Sequence, residues 1–218
     1  MSTSRVRTAI LISGRGSNML ALIKAAQDPA FPAQIVHVLS NVPDAFGLRL
    51  AEQAGIATSV INHHEFDNRE SFDAALDAAL RAAEVEIICL AGFMRLLSPG
   101  FVTKWEGKLI NVHPSLLPAF KGLHTHERVL EAGVRFTGCT VHFVRPAMDD
   151  GPIIAQAAVP VLPEDDPASL SKRVLEQEHR VYPLALKLLA EGRLTITEGA
   201  VRIKDAQVSP AALINPLA

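Results

Sequence analysis

Short apolar runs alternate with longer segments of helical periodicity in the first half of the chain. The apolar runs predict β-strands at residues 8–13, 34–40, 85–92 and 108–113. Between them, alanine and leucine recur at helical spacing and predict helices at residues 18–27, 45–55 and 66–84. Ser98 and Pro99 predict the start of a further helix. Strands that alternate with helices are typical of a parallel sheet with helical crossovers.

The pattern changes after residue 133. Two strand-like runs, 136–144 and 152–161, flank the turn-forming segment RPAMDDG and predict an antiparallel pair. Apolar positions at helical spacing predict a helix at 169–192, and a closing hairpin is predicted at 194–205. We therefore expect an α/β fold, a single Rossmann-like domain whose mostly parallel sheet has helices on both faces and an antiparallel C-terminal part.

Composition and charge narrow the class of protein. The chain has 218 residues, of which 49% are hydrophobic and 20% charged, which supports one globular domain with a sizeable core. With 21 basic and 23 acidic residues, the net charge of -2 gives no general attraction to nucleic acid or to a membrane surface. No apolar run approaches the ~20 residues of a membrane helix, and the N-terminal run fits a first strand better than a signal peptide.

The cysteines and the charge balance suggest a compartment and partners. Cys89 and Cys139 lie in apolar segments and lack the close spacing of a zinc or redox pair. We expect buried free thiols in a cytoplasmic protein. We also expect small-molecule substrates, no nucleic-acid or membrane partner, and a monomer or weak homodimer.

A glycine-rich connection, SGRGSNML (13–20), joins the first strand to the first helix. Its glycines permit a tight turn, and Ser17 and Asn18 can cap the helix, so several backbone N–H groups would converge on one anion. The dinucleotide fingerprint requires a third glycine where this chain has Met19 or Leu20, which argues against NAD. The lysine of a nucleoside-triphosphate loop is absent too, so a single phosphate ester is the favoured ligand, with a purely structural turn as the alternative.

Asn111 and His113 lie at the end of the fourth apolar run, in INVHPSLLPAFKGLHTH (110–126). Ligands of doubly wound sheets collect at the C-terminal ends of strands, and strand alternation places both side chains on one face. An amide donor beside an imidazole suits attack on a carbonyl carbon, where an oxyanion develops while an amine loses a proton. Alternatively, His113 satisfies the loop backbone. Zinc would need further ligands, and His124 and His126, two residues apart near a helix start, point to different faces.

Two other segments contain candidate functional residues. Asp149 and Asp150 lie in the turn between the predicted antiparallel strands. Aspartates in such a turn usually stabilise its backbone and face solvent. A carboxylate beside His113 would instead favour the charged imidazole and prepare it for acid–base catalysis. Met94 and Arg95 follow the third apolar run, so core packing explains Met94, and the wall of a site for a flat heteroaromatic ligand is the second interpretation.

Seven segments occur in a specific order and spacing along the chain. They are LISGRGSN, FDNRE, LAGFMRLLSP, INVHPSLLPAFKGLHTH, TGCTVHFV, MDDGPIIAQAAVPV and EQEHRVYP. Together they resemble the phosphoribosylglycinamide formyltransferase family, from about residue 6 to about residue 203. The resemblance implies that a formyl group is transferred from the cosubstrate 10-formyltetrahydrofolate to the amine of 5-phosphoribosylglycinamide, in purine synthesis and without a metal.

The resemblance also implies roles for individual residues. Asn111, His113 and Asp149 match the family's catalytic residues, so the asparagine would steady the formyl oxygen, the histidine would handle protons, and the aspartate would favour the charged histidine. The residues that match the phosphoribosyl site are Gly16, Ser17, Asn18 and Glu178. The residues that match the folate site are Arg69, Met94, Arg95, Leu96, Leu97 and Asn111. By themselves, Glu178 would be assigned to a solvated helix face and Arg69 to the surface.

The family comparison also predicts the domain organisation. We expect a formyltransferase domain at residues 1–205, with the phosphoribosyl substrate bound by its N-terminal part and the folate by its C-terminal part, and a peripheral tail at 206–218. Arg15 departs from the family, which often has a small or neutral polar residue there. Its positive charge would either strengthen phosphate binding or face solvent.

Three other functions compete with this prediction. Formyltetrahydrofolate hydrolase delivers the formyl group to water and usually has an N-terminal regulatory domain, which we do not expect because the first strand begins almost at Met1. Methionyl-tRNA formyltransferase needs a C-terminal RNA-binding domain and would favour a basic surface. A non-catalytic nucleotide-binding regulator would use the glycine loop but has no need for Asn111, His113 and Asp149 together.

Overall fold

A seven-stranded sheet forms the centre of the fold. The structure, a computed structural model, describes residues 5–207, 211 and 213–215. The strands of this sheet are β1 (Val6–Ile12), β2 (Ala33–Ser40), β3 (Ala57–Val60), β4 (Ile87–Leu90), β5 (Leu109–His113), β6 (Phe136–Phe143) and β7 (Ile153–Pro160). Their order is β3-β2-β1-β4-β5-β6-β7. Strands β1 to β5 pair in parallel, whereas β6 is antiparallel to both β5 and β7.

Helices cover both faces of the sheet. They are α1 (Ser17–Ala26), α2 (Phe46–Gln53), α3 (Arg69–Ala82), α4 (Pro99–Lys104), α5 (Thr125–Glu131) and α6 (Pro167–Ala190), and a short 3₁₀ helix spans His63–Glu65. Helices α1, α2, α5 and α6 contribute to one hydrophobic core, and α3 and α4 contribute to the other. A hairpin of β8 (Leu194–Thr197) and β9 (Ala200–Ile203) follows α6. The predicted α/β fold, mostly parallel with helices on both faces, is confirmed.

The two cores explain why the first strand is apolar at consecutive positions. Successive side chains of a strand point to opposite faces, so Ile10 and Ile12 lie in one core while Ala9 and Leu11 lie in the other. A central parallel strand is buried on both faces and therefore requires apolar residues throughout. The same pattern made β1 predictable from the sequence.

The element boundaries differ from the prediction where side chains cap helices or a strand lies at an edge. Helix α3 begins at Arg69, three residues later than expected, because the side chain of Asn68 accepts a hydrogen bond from the N–H of Ser71. Helix α6 begins at Pro167, two residues earlier than expected, behind a capping box formed by Asp166 and Ser169. Strand β3 was not predicted, because it lies at the sheet edge and has no buried residue.

The sheet topology determines where a ligand can bind. Strand β1 lies between β2 and β4, so the chain changes direction across the sheet at this strand. The C-terminal ends of β1, β4 and β5 therefore open onto the same edge, which is the usual binding position in doubly wound sheets. In the described part of the chain, no helix combines the length and apolar character needed to cross a lipid bilayer.

The predicted tail is described only in part. Asn215 donates a side-chain hydrogen bond to the carbonyl of Arg135 at 2.8 Å. Residues 208–210, 212 and 216–218 of the predicted tail lie outside the described residues. The division of substrate binding between the N- and C-terminal parts of the domain stays a prediction.

Candidate active site

A cavity of about 530 Å³ opens at the C-terminal ends of β4 and β5. The segment that follows β4, the end of β5, the residues before α5 and the turn between β6 and β7 form its wall. Its rim carries exposed apolar side chains, with Met94, Leu96, Leu123 and Met148 each more than half exposed. Exposed apolar side chains around a concavity are typical of a surface that a ligand covers.

The structure brings Asn111, His113 and Asp149 together at this cavity. Asn111 and His113 flank Val112 on β5, so both side chains lie on the same face of the strand. The Nδ1 atom of His113 is 3.4 Å from Oδ2 of Asp149, and Nε2 is 2.9 Å from the carbonyl oxygen of Phe120. A carbonyl only accepts hydrogen bonds, so Nε2 carries the hydrogen, and Nδ1 is the nitrogen that faces the carboxylate.

The two neighbouring aspartates have different surroundings. Asp149, with φ 50°, turns its carboxylate inward, where Oδ2 accepts a hydrogen bond from the N–H of Gly122 at 2.8 Å. Only 12% of the Asp149 side chain is exposed. Asp150 instead forms an ion pair with Lys121 at the surface. A non-glycine residue in the left-handed region costs conformational energy, and such residues are concentrated at functional sites.

His142 is a fourth polar residue of the site and was not among the residues predicted for it. It lies on β6 opposite Asn111, and its Nε2 atom is 3.3 Å from Nδ2 of Asn111 and 3.9 Å from Oδ1 of Asp149. Burial lowers the pKa of His142. The segment TVHFV predicts a strand, but the register that sets this histidine against Asn111 depends on the pairing of β5 with β6.

The glycine loop is built differently from the prediction. Ser17 and Asn18 do not cap helix α1, because the N-cap is Gly16 in the left-handed conformation, with φ 79° and no side-chain cap. Helix α2 holds the loop in place, since the N–H of Gly47 donates to the carbonyl of Gly14 at 2.9 Å. A Cβ atom on Gly16 would lie 2.9 Å from the Cα of Gly47. This close approach requires glycine at position 16. The first turn of α1 has no side-chain cap, and an uncapped helix N-terminus is a suitable place for an anion.

Glu178 lies beside the glycine loop, in the middle of the long helix α6. Its side chain accepts a hydrogen bond from Nδ2 of Asn18 at 2.6 Å, and the residue is only 6% exposed. Burial raises the pKa of Glu178, and the bond from Asn18 partly offsets this. The alternative that Glu178 lies on a solvated helix face is wrong. Gly16, Ser17, Asn18 and Glu178 are not among the residues that line the cavity.

The residues matched to the folate site separate into two places. Met94, Arg95, Leu96 and Leu97 line the cavity, and the Arg95 guanidinium lies over the ring of Phe72, 4.6 Å from its centroid. Arg69 is the first residue of α3, is exposed, and does not line the cavity. The predicted role of Arg69 therefore has no geometric counterpart among the cavity residues and stays a prediction.

Ser13 connects the glycine loop to the loop after β4. Its backbone N–H donates to the carbonyl of Gly92 at 3.1 Å, and its hydroxyl accepts from the N–H of Met94 at 2.7 Å. The same hydroxyl donates to Oδ1 of Asn41, which is buried. The two loops that carry the predicted substrate positions are thus fixed relative to each other.

The described residues contain no group of three His, Cys, Asp or Glu side chains placed to hold a metal ion. His124, at the start of α5, has a largely exposed side chain and faces Glu127. Cys89 and Cys139 are free and buried, as predicted. Burial raises the pKa of Cys139 to about 12, so this thiol is unreactive at neutral pH.

The Rossmann-like sheet carries an amide, two imidazoles and a carboxylate together at its C-terminal edge, a set of side chains suited to group transfer at a carbonyl carbon. Residues 6–186 match the Formyl transferase family, so the chain belongs to that family. The chain is 44% identical to phosphoribosylglycinamide formyltransferase of Escherichia coli, over 92% of this chain and 95% of that protein.

Other relatives are similar in sequence or in structure. The chain is 54% identical to the trifunctional purine biosynthetic protein adenosine-3 of Gallus gallus, over 91% of this chain, and spans only 20% of that longer protein. Glycinamide ribonucleotide transformylase 1 of Symbiobacterium toebii superposes with a TM-score of 0.90 at 45% identity, covering 92% of this chain and 95% of that one. Phosphoribosylglycinamide formyltransferase of Brucella melitensis superposes with a TM-score of 0.83 at 56% identity, covering 86% and 96%.

Proposed function

We propose that this protein transfers the formyl group of 10-formyltetrahydrofolate to the amine of 5-phosphoribosylglycinamide, giving formylglycinamide ribonucleotide and tetrahydrofolate. The observation that carries the proposal is the convergence of Asn111, His113 and Asp149 on one cavity wall. Its relatives named phosphoribosylglycinamide formyltransferase are matched over nearly their full length. We infer a cytoplasmic protein that acts on small molecules, as a monomer or weak homodimer.

The two substrates bind at adjoining sites. The phosphate of the ribonucleotide accepts hydrogen bonds from the backbone N–H groups of Gly16, Ser17 and Asn18, where the α1 dipole also favours negative charge. The pterin lies against the apolar wall formed by Met94 and Leu97. Glu178 is close enough to Asn18 to share the ribonucleotide site with it.

The chemistry follows from the donors at the cavity wall. The glycinamide amine forms a bond to the formyl carbon, the bond from that carbon to the folate nitrogen breaks, and the proton lost by the amine is balanced by the one that the folate nitrogen gains. Negative charge develops on the formyl oxygen, and a side-chain N–H of Asn111 stabilises it. His113 exchanges protons through Nδ1, beside Asp149, because Nε2 is held by the Phe120 carbonyl.

The direct test is a transfer assay. The purified protein is incubated with 10-formyltetrahydrofolate, with and without the ribonucleotide, and tetrahydrofolate release is followed. We expect release that requires the ribonucleotide. Equal release in its absence would identify a hydrolase, and no release in either mixture would contradict formyl chemistry altogether. A rise in melting temperature with NAD but not with a folate analogue would instead support a nucleotide-binding regulator.

A further inference from the structure

His142 is buried in the site but takes no part in the chemistry described so far. Its residue exposure is 2%, and it faces Asn111 across the β5–β6 pair. A buried imidazole keeps its place only when its polar atoms find partners. The identity of those partners determines what this histidine does.

The hydrogen-bond partners fix the tautomer of His142. Its Nδ1 atom lies 2.9 Å from the backbone carbonyl of Phe143, which can only accept, so Nδ1 carries a hydrogen. In the neutral ring Nε2 is then a lone-pair acceptor. The amide atom of Asn111 that faces Nε2 at 3.3 Å must therefore be the NH₂ group, not the oxygen.

We propose that His142 is a positioning residue that holds the Asn111 amide with its NH₂ group toward the cavity wall. This inference rests on the proposed function. One N–H of Asn111 is donated to His142, and the second is left for the formyl oxygen. If His142 carried hydrogens on both nitrogens, the amide would turn its oxygen to the ring, and a lone pair would face the developing negative charge.

The backbone around His142 is built to keep this arrangement. The carbonyl of Phe143 is held close to Gly151, where an added Cβ would come within 1.6 Å of the oxygen, so only glycine fits there. The charged and titratable groups that face His142 are Asp149, His113 and Lys121. Desolvation is the largest influence on the ring and favours its neutral form, the form that accepts from Asn111.

A double-mutant cycle with Asn111 tests the proposal. The variants His142→Leu and His142→Gln are made in the wild type and in Asn111→Ala, and kcat and KM are measured for both substrates. We expect His142→Leu to lower kcat about tenfold in the wild type, as for one lost hydrogen bond, with KM little changed. In the Asn111→Ala background the same change should lower kcat by less than about twofold, because the residue acts through Asn111. Equal losses in the two backgrounds would overturn the proposal.

Rescue and control variants separate positioning from general destabilisation. The side-chain oxygen of glutamine can accept from Asn111, so His142→Gln should retain more activity than His142→Leu; no difference between them would count against the proposal. His37→Leu removes a half-buried histidine that bonds to Ser59 far from the cavity, and it should leave kcat unchanged.

A spectroscopic measurement does not depend on the variants being folded. In wild-type protein with ¹⁵N-labelled histidine, we expect the His142 signals, assigned sequentially, to show the Nδ1–H tautomer. The Nε2–H tautomer would overturn the inference. Absence of formyl transfer by the wild-type protein would contradict the proposed function. An active wild type in which the kcat losses of the His142 and Asn111 substitutions are additive would contradict only the role of His142.

Discussion

At the scale of single residues, the donor carried by Asn111 has the largest expected effect. Asn111→Ala should lower kcat by about 10²–10³-fold, the usual cost of losing one donor to a developing oxyanion. KM for the ribonucleotide should change little, because Asn111 is not part of the glycine loop. Asn111→Asp preserves the shape of the side chain and removes the donor, so it should lose comparable activity. Steady-state kinetics with both substrates would check this, and a change in KM alone would exclude the assigned role.

Glu178 is a second residue whose burial has a measurable consequence. Because burial raises its pKa, the ionised form destabilises the folded state at neutral pH. Glu178→Gln should therefore raise the Tm at pH 8, by about 2–4 °C for each ~1 kcal/mol gained in a chain of this size. The same variant should raise KM for the ribonucleotide, because Glu178 is proposed to share that substrate's site. A group that serves binding in this way often lowers stability.

A matched control for Glu178 lies on the same helix. Glu176 is exposed, so Glu176→Gln should change neither the Tm nor KM. Thermal unfolding of the two variants beside the wild type gives the comparison. A lower Tm for Glu178→Gln would show that the charge is stabilised more than its burial indicates.

Residue roles differ in how far the sequence reveals them. Asn111 and His113 could be predicted as a pair because residues two apart on a strand point to the same face. Asp149 was a candidate from the sequence, but only the family resemblance selected it over Asp150, because aspartates are common in turns. His142 was missed, because a lone histidine in an apolar strand signals nothing until its register against β5 is known.

At the scale of elements, the pairing of β6 with β7 depends on close backbone approach. A Cβ atom at Gly138 of β6 would lie 1.8 Å from the carbonyl oxygen of Ala157 in β7. Gly138→Ala should therefore separate the strands and lower the free energy of unfolding by at least about 2 kcal/mol. Urea denaturation measures the change in stability. The activity of the protein should fall in parallel, because the turn between β6 and β7 carries Asp149.

Helix α4 offers the matched glycine. Gly100 is helical, and a Cβ there would meet only the hydroxyl of Ser98, at 4.0 Å. Gly100→Ala should raise the free energy of unfolding by roughly 0.5–1 kcal/mol, because alanine loses less backbone entropy in a helix. Equal destabilisation by the two substitutions would contradict the steric account of Gly138.

Helices and strands were predictable from the sequence where burial imposed a clear pattern of apolar residues. Strand β1 is buried on both faces and its sequence shows it, whereas β3 is a partly exposed edge strand of four residues, ATSV, that carries no clear period. Helix ends depended on capping side chains such as Asn68 and Asp166, which the apolar period does not register. The N-cap of α1 is Gly16 and not Ser17 as expected, because the backbone at residue 16 packs closely against Gly47, a contact that the local sequence does not show.

At the scale of the whole molecule, one buried and three partly buried histidines make the fold sensitive to acid. Burial lowers the pKa of His142, His126, His37 and His179 below the ordinary value of 6.5. The unfolded chain takes up protons near pH 6.5, while the folded chain does so only at lower pH. The free energy of unfolding should therefore fall as the pH is lowered below 6.5.

Urea denaturation at pH 7.5 and pH 5.5 checks this expectation through the midpoint concentration. The midpoint should be lower at pH 5.5. Glu178 acts in the opposite direction, because its raised pKa makes the folded chain bind a proton more readily, so Glu178→Gln should steepen the fall. A midpoint that is equal or higher at pH 5.5 would show that the histidines do not dominate.

The sequence by itself determined the fold class, the order of most elements and, with the family resemblance, several of the positions that form the cavity wall. These features follow from local periodicity, from turn chemistry and from the spacing of polar residues at strand ends, all of which are recorded along the chain. Tertiary structure alone decided that His142 faces Asn111, that Glu178 is buried against Asn18, and that the Phe120 carbonyl holds Nε2 of His113. These contacts depend on strand register, helix packing and the path of a loop. The burial of the whole core determines those features, and no short segment of sequence does so.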